Sequence, residues 1–347
     1  MKAIVLNKIT SLQQDQNPLL LVDAPEPEPG PGEILLRVTR CGVCHTELDE
    51  IEGRTPPPRL PVILGHQVVG TLSSDSWLSE TERQAAGLHI GQRLGVAWIA
   101  SACGTCQFCL SGQENLCPEF QATGRDRDGG YAEYMSVRAG FVHPIPDSIS
   151  DSEAAPLLCA GAVGYRALKL CELQDGQSIG LMGFGGSNHL VLKTAKHKFP
   201  HSPIFVFSRN PQEREFAIAL GAAWAGTINE VPPEPLNAII DTTPVWGPDM
   251  EALKRLQPGG RLIINAIRKE EGDREVLSQL DYASQLWMEK EIKSVANVTR
   301  QDVREFLQLA AEAKLKPDYQ EYDLEDANQA LLELRQGNIR GAKVLRL

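Results

Sequence analysis

Two textures of apolar and polar positions divide the chain. Up to about residue 150 the apolar residues come in short runs cut by Gly and Pro. Residues 1–6 read as an opening strand, residues 34–38 as a strand after the turn-rich stretch 25–32, and residues 68–72 and 93–98 as strands of the same kind. Short strands with frequent turn signals predict a compact β-rich domain. From residue 153 the period lengthens. Residues 153–170, rich in Ala and Leu, predict a helix. Strands then alternate with helices: strands at 178–182, 204–207, 237–241 and 260–264, and helices at 189–198, 213–220 and 250–256. That alternation predicts βαβ units and a parallel sheet. Beyond residue 297 come a helix at 301–313, the segment 322–324, a helix at 326–336 and a closing strand at 343–347. Trp287 and Met288, before the charged Glu289, Lys290 and Glu291, read as part of an amphipathic structural helix.

A length of 347 residues allows two domains at ~150 residues each. Hydrophobic residues at 42% and charged residues at 23% are globular usage and exclude disorder as a global state. The net charge of −11 argues against a chain built to grip nucleic-acid phosphates or anionic lipid, so neither a nucleic-acid nor a membrane partner is expected. A local basic pocket for a phosphorylated cofactor is compatible with it. No apolar run reaches the ~20 residues that span a bilayer. The opening residues turn polar too soon for a signal peptide, so a cytoplasmic protein is expected. Of the eight cysteines, four fall within residues 103–117, a clustering that suggests metal thiolates over disulfides.

Three groups of residues carry candidate chemistry. Cys103, Cys106 and Cys109, at two-residue gaps, with Cys117 beyond them, have the spacing of a closed four-thiolate zinc site, which holds a loop and leaves no place for water. Cys44, His66 and Cys159 form one of the ligand sets of catalytic zinc, which keeps a fourth place open. Taken singly, His66 also reads as a polar residue after a Gly, and Cys159 as a small hydrophobe in a helix. Gly183, Gly185, Gly186 and Ser187 lie between a predicted strand and a predicted helix, the context for a dinucleotide pyrophosphate at a helix N-terminus. A plain Gly-rich turn is the alternative. The next strand ends in Ser208 and Arg209 with no carboxylate, which suits a 2′-phosphate and points to NADP over NAD. Read otherwise, both are ordinary loop residues.

Together these residues resemble the medium-chain zinc-dependent alcohol dehydrogenase family, in its microbial small-primary-alcohol form. The resemblance runs over nearly the whole chain, from residues 29–33 through 42–46, Gly65-His66, the four cysteines and the glycine turn to residues 341–345. It implies an α/β fold: a Rossmann doubly wound parallel sheet plus a β-rich GroES-like catalytic domain. The expected division is 1–156 for the catalytic domain with its zinc lobe, 157–296 for the cofactor domain, and 297–347 for a return to the first. It also implies two zinc ions, a catalytic one on Cys44, His66 and Cys159 and a structural one on Cys103, Cys106, Cys109 and Cys117. Thr46 matches the hydroxyl that relays the alcohol proton, His45 a residue facing the cofactor pyrophosphate, and Glu47 the acid behind the zinc-bound histidine.

The implied activity is interconversion of primary alcohols and aldehydes by hydride transfer with NADP(H), preferred here over NAD(H). An NADPH-dependent aldehyde reductase of cinnamyl-alcohol type, a polyol or formaldehyde-type dehydrogenase and a non-catalytic cofactor-binding scaffold are the alternatives. Family precedent adds a homodimer or homotetramer paired through the cofactor-domain sheets, and a cleft site for a small alcohol or aldehyde with Trp98 narrowing it. The sequence departs from the family at Gln67, where a Glu is usual, at Asp49, where many relatives end the relay in a His, and at Asn188, where a small residue is expected. Cys41 and Cys171 read as packing residues. Arg340 and Lys343, within reach of the cofactor phosphates in such a fold, read as solvated charges.

Overall fold

In the computed structural model of the protein, residues 1–337 and 341–347 are described, and they divide into two units. Met1–Ala162 joins Val298–Leu347 in the first unit, and Val163–Asn297 forms the second. The first division thus falls inside the helical run, at Ala162 instead of residue 156, and the return falls after Asn297.

Seven strands of the first unit form one sheet, while Lys2–Leu6 lies in a separate three-stranded sheet with Leu19–Asp23 and Val62–Ile63. The order of the seven-stranded sheet is Val142–Pro144, Arg93–Val96, Val68–Ser76, Glu33–Val43, Ala342–Arg346 and Tyr319–Asp323, with Tyr134–Arg138 also paired to Glu33–Val43. Glu33–Val43 is longer than its apolar run because it pairs with three strands at once. Ile34, Leu36, Val38, Val68, Leu72 and Leu94 pack into the core of this unit. The closing strand crosses that core, which decides the fate of Lys343. It is buried, with Nζ 2.5 Å from Glu333 Oε2 and within contact of Tyr322 Oη, so it is not a solvated charge and its ammonium is spent on a structural pair. Arg340 lies outside the described residues.

The predicted helix at 153–170 is three pieces. An α-helix Asp151–Pro156 passes into a π-helical turn Leu157–Gly161 and then an α-helix Ala162–Leu170. Pro156 has no N–H to give the ladder, and the wider turn follows it. Helix Arg300–Glu312 packs on this turn, where a Cβ at Gly161 would overlap the ring of Phe306.

The second unit is a six-stranded parallel sheet in the order Trp224–Gly226, Ile204–Phe207, Ile179–Met182, Leu236–Asp241, Leu256–Ile264, Glu291–Ser294. Helices cover both faces, so its central strands are mostly apolar and feed two separate core clusters. The chain reverses direction across the sheet between Ile179–Met182 and Leu236–Asp241, the switch point where open α/β sheets bind ligands.

Trp287 and Met288 belong to no helix. A π-helical turn Tyr282–Leu286 ends there, Met288 and Glu289 take φ of +73° and +61°, and the edge strand Glu291–Ser294 follows. Two consecutive left-handed residues stop a right-handed helix, and Lys290 Nζ is drawn back onto Leu253 O and Ser284 O at 2.8 and 2.9 Å. Among the described residues, no helix is long and apolar enough to cross a membrane.

Candidate metal centres and dinucleotide turn

Cys44, His66 and Cys159 come from three parts of the first unit. Cys44 ends the strand Glu33–Val43 as the N-cap of helix His45–Ile51, His66 sits just before the strand Val68–Ser76, and Cys159 lies in the π-helical turn. His66 Nε2 is 3.6 Å from Cys44 Sγ and 3.2 Å from Cys159 Sγ. All three donor atoms lie within 4.8 Å of one another, and among the described residues no fourth Cys, His or carboxylate joins them. The imidazole is fully buried, and Cys44 and Cys159 are half-buried. Two thiols and an imidazole fit zinc with one coordination place left for a small ligand.

Glu47 organises this centre. Its Oε1 lies 2.6 Å from His66 Nδ1, which directs the other ring nitrogen, Nε2, at the two sulfurs. Its Oε2 accepts from the Cys44 backbone N–H at 2.8 Å, closing a capping box with the Cys44 sulfur. Burial drives His66 towards neutrality, but the Glu47 carboxylate and the Cys44 sulfur overcome it and raise the imidazole well above its usual range. The Cys159 thiol, then burial, raise Cys44 in the same direction. Without a cation the centre holds protons, and binding a metal releases them. Thr46 donates its backbone N–H to Cys44 Sγ at 3.4 Å and is half-buried, whereas His45 is exposed.

Two neighbours depart from the family pattern. The carboxamide of Gln67 is buried and packed where a Cβ on Gly42 would come within 2.7 Å of its Oε1. Asp49 is buried and held by Arg54 Nε at 2.5 Å, so it is a structural acid and no open proton outlet. Sequence reasoning missed Glu50, which is fully buried with no hydrogen-bond partner on either carboxylate oxygen. Burial, then the charge of Glu47, raise its pKa well above the carboxylate range. Nothing in its local sequence separates it from the neighbouring acids Asp49 and Glu52, which are paired with Arg54.

The four-cysteine segment gathers as its spacing predicts, with all four sulfurs within 4.8 Å and no disulfide among them. Gly104 takes φ +79°, the left-handed turn that brings Cys106 back towards Cys103. Backbone N–H groups of Cys106 and Glu119 point at Cys103 Sγ and Cys117 Sγ, each at 3.3 Å. The Thr105 and Cys106 backbone N–H groups lower Cys103 to about 6, while burial, then the neighbouring thiols, push Cys109 up to about 12. Four sulfurs so placed could hold zinc as a closed thiolate site. Trp98, ahead of this segment, is half-buried and stacks on Phe120 with ring centroids 4.9 Å apart.

In the second unit, Gly183 takes φ +75° after strand Ile179–Met182. A Cβ at Gly185 would meet nothing within 4 Å. Gly186 and Ser187 lead into the eleven-residue helix Asn188–Lys198, whose N-terminal N–H groups favour an anion. Open space at Gly185 beside that terminus fits a pyrophosphate. Asn188 does not loosen this turn. Fully buried, it donates Nδ2 to Met182 O at 3.0 Å, Gly183 O at 2.8 Å and Thr242 Oγ1 at 3.2 Å, tying both sides of the switch point together. At the end of the next strand Arg209 is exposed, but the Ser208 hydroxyl is already engaged, donating to Glu213 Oε2 at 2.5 Å. A second buried group lies past the strand Leu236–Asp241: Lys269 Nζ is 2.6 Å from both Asp241 and Asp249. Sequence reasoning missed it because Lys269 stands in a run of charges that reads as solvated.

Comparison with known proteins agrees with this geometry. The alcohol dehydrogenase GroES-like domain matches residues 30–147. A probable alcohol dehydrogenase AdhA of Mycobacterium tuberculosis (strain CDC 1551 / Oshkosh) is 42% identical over 333 residues, 95% of this chain and 93% of that protein. Among solved structures, an NAD-dependent alcohol dehydrogenase superposes with a TM-score of 0.86 at 24% identity, covering 100% of both chains. A cobalt- and zinc-bound thermostable alcohol dehydrogenase from Pyrobaculum aerophilum gives 0.84 at 23% identity, covering 100% of this chain and 99% of its own.

Proposed function

The chain belongs to the medium-chain zinc-dependent alcohol dehydrogenase family and is an oxidoreductase, and from that premise we propose that it interconverts primary alcohols and aldehydes with NADP(H) preferred over NAD(H). The observation that carries the reading is the trio Cys44, His66 and Cys159, three donors within 4.8 Å of one another with no fourth protein donor among the described residues. Zinc held there supplies Lewis acidity that lowers the pKa of an alcohol hydroxyl, and a nicotinamide dinucleotide supplies the hydride acceptor.

The chain's own residues do the rest. Glu47 takes the hydrogen bond of His66 Nδ1 and keeps Nε2 free as a donor to the metal. Thr46, half-buried one residue into the helix, is the hydroxyl that receives the alcohol proton. Cys103, Cys106, Cys109 and Cys117 hold a second zinc that fixes their loop and takes no part in the reaction. Gly183, Gly185, Gly186 and Ser187 bind the pyrophosphate at the helix N-terminus, with His45 as a further contact. The 2′-phosphate sits at the strand end formed by Ser208 and Arg209, with the exposed Arg209 guanidinium as its counter-charge.

Eight free cysteines suit a reducing, cytoplasmic setting. The strand Glu291–Ser294, exposed at the edge of the parallel sheet beside Trp287 and Met288, suits pairing with a second copy, as homodimer or homotetramer. A screen of short alcohols and aldehydes with both coenzymes tests the reading. Highest kcat/KM on a primary alcohol or its aldehyde with NADP(H) supports it, and a clear NAD(H) preference contradicts the coenzyme assignment. The same screen separates an aldehyde reductase of cinnamyl-alcohol type, which would favour bulky aromatic aldehydes.

A further inference from the structure

The strand Ile204–Phe207 ends where a dinucleotide-binding sheet ordinarily sets an acid against the adenosine ribose. The chain puts Ser208 and Arg209 at that place, and the folded structure adds a carboxylate from the next element. Glu213, half-buried in the first turn of helix Pro211–Ala219, accepts from Ser208 Oγ at 2.5 Å. Ser208 Oγ in turn accepts from the Asn210 N–H at 3.1 Å, and Arg214 Nη1 donates to Ser208 O at 2.7 Å. The hydroxyl, the carboxylate and the strand end are thus one hydrogen-bonded unit.

We infer that Glu213 is a specificity-determining residue that works against the 2′-phosphate: it supplies, from the helix, the acceptor the strand end lacks, and so weakens the preference for NADP(H) over NAD(H). The inference rests on the reading of this strand end as the adenosine-ribose site. A serine hydroxyl has one proton. While Ser208 gives it to Glu213, it has none to give a phosphate oxygen. A 2′-phosphate seated beside Ser208 also brings a charge of about −1.5 to −2 next to a carboxylate. A ribose 2′-hydroxyl faces neither cost, because Glu213 accepts from it as a strand-end acid would. Arg209 pulls the other way, so the coenzyme preference is the balance between one guanidinium and one carboxylate.

The test is the affinity of each coenzyme for the zinc-loaded, full-length protein, titrated by nicotinamide fluorescence with NADPH and NADH. Glu213→Gln keeps the hydrogen-bonding shape and removes the charge. It is expected to raise the ratio Kd(NADH)/Kd(NADPH) about tenfold, mainly through tighter NADPH. An unchanged ratio, or equal shifts for both coenzymes, overturns the inference. Ser208→Ala keeps the carboxylate and frees it from its tether, leaving its charge and both oxygens to the coenzyme. Its ratio is expected to fall below that of the wild type, and a rise overturns the inference. Displacement by 2′,5′-ADP against 5′-AMP reads the same ratio without the nicotinamide half. Arg209→Ala tests the underlying site: it is expected to weaken NADPH about tenfold, and unchanged binding of both coenzymes overturns the ribose assignment itself. A wild type that favours NADH contradicts only the coenzyme preference proposed above, because the direction of change in Glu213→Gln stays measurable.

Discussion

Glu47 meets two demands with its two carboxylate oxygens, orienting His66 and capping the helix that begins at His45. Glu47→Ala removes both, and the two losses separate by measurement. Zinc competition with a chromophoric chelator is expected to show about 10–100-fold weaker binding at one site, and thermal unfolding a loss of about 1 kcal/mol from the missing cap. His143 gives a pH dependence of known sign. It is buried with neither ring nitrogen partnered, and burial, then the fields of Arg304 and Arg300, lower its pKa to about 3. The unfolded chain binds a proton below ~6.5 that the folded one refuses. The contribution is therefore whole above ~pH 6.5 and declines by about 1.4 kcal/mol per unit as the pH falls towards its folded value. Denaturant titrations from pH 7 to 4 are expected to show a shallower acid loss in His143→Leu than in the wild type, and parallel slopes would contradict this. At this scale the four clustered cysteines were legible from residue type and spacing, whereas Cys44, His66 and Cys159, far apart along the chain, were legible only through the family resemblance. The hydrogen bonds of Asn188 and Ser208 were not legible, because their partners, Thr242 and Glu213, lie in other elements and no local pattern reports them.

The element that matters most is the π-helical turn that carries Cys159. Its widening follows Pro156, and its packing depends on Gly161, which leaves room for Phe306 of the helix Arg300–Glu312. Gly161→Ala is expected to destabilise the protein by about 1–3 kcal/mol through overpacking and to lower its affinity for one zinc. Adding Phe306→Leu is expected to recover part of both, which thermal melts and metal titration would show. Independent, additive losses would contradict the contact. The apolar periodicity gave helical geometry over 153–170 but not the change of pitch, since an extra residue in a turn leaves the mean pattern nearly intact. The stretch at Trp287 failed for the opposite reason. Its amphipathic look is that of an exposed edge, and the left-handed pair at Met288 and Glu289 has no Gly to announce it.

For the whole molecule, the alternation of strands and helices predicted the parallel sheet and four of its six strands, missing Trp224–Gly226 and Glu291–Ser294, and the Gly/Pro-cut runs predicted the β-rich unit. The closing strand's place in the first sheet, between Glu33–Val43 and Tyr319–Asp323, was not legible, because a terminal strand carries no sign of its neighbours. The exposed edge Glu291–Ser294, with Trp287 beside it, carries the prediction for assembly. Ile292→Lys is expected to shift the protein to smaller species in sedimentation velocity while leaving zinc content intact, and an unchanged distribution would place the interface elsewhere. The central claim is a three-donor zinc centre distinct from the four-cysteine one. Its most direct test is the zinc content per chain of the wild type and Cys159→Ser, with turnover and circular dichroism recorded on the same samples. The account predicts two ions in the wild type, and in the variant one ion, an unchanged fold and at least ~100-fold lower turnover. Two tightly held ions and near-full turnover in Cys159→Ser would contradict it.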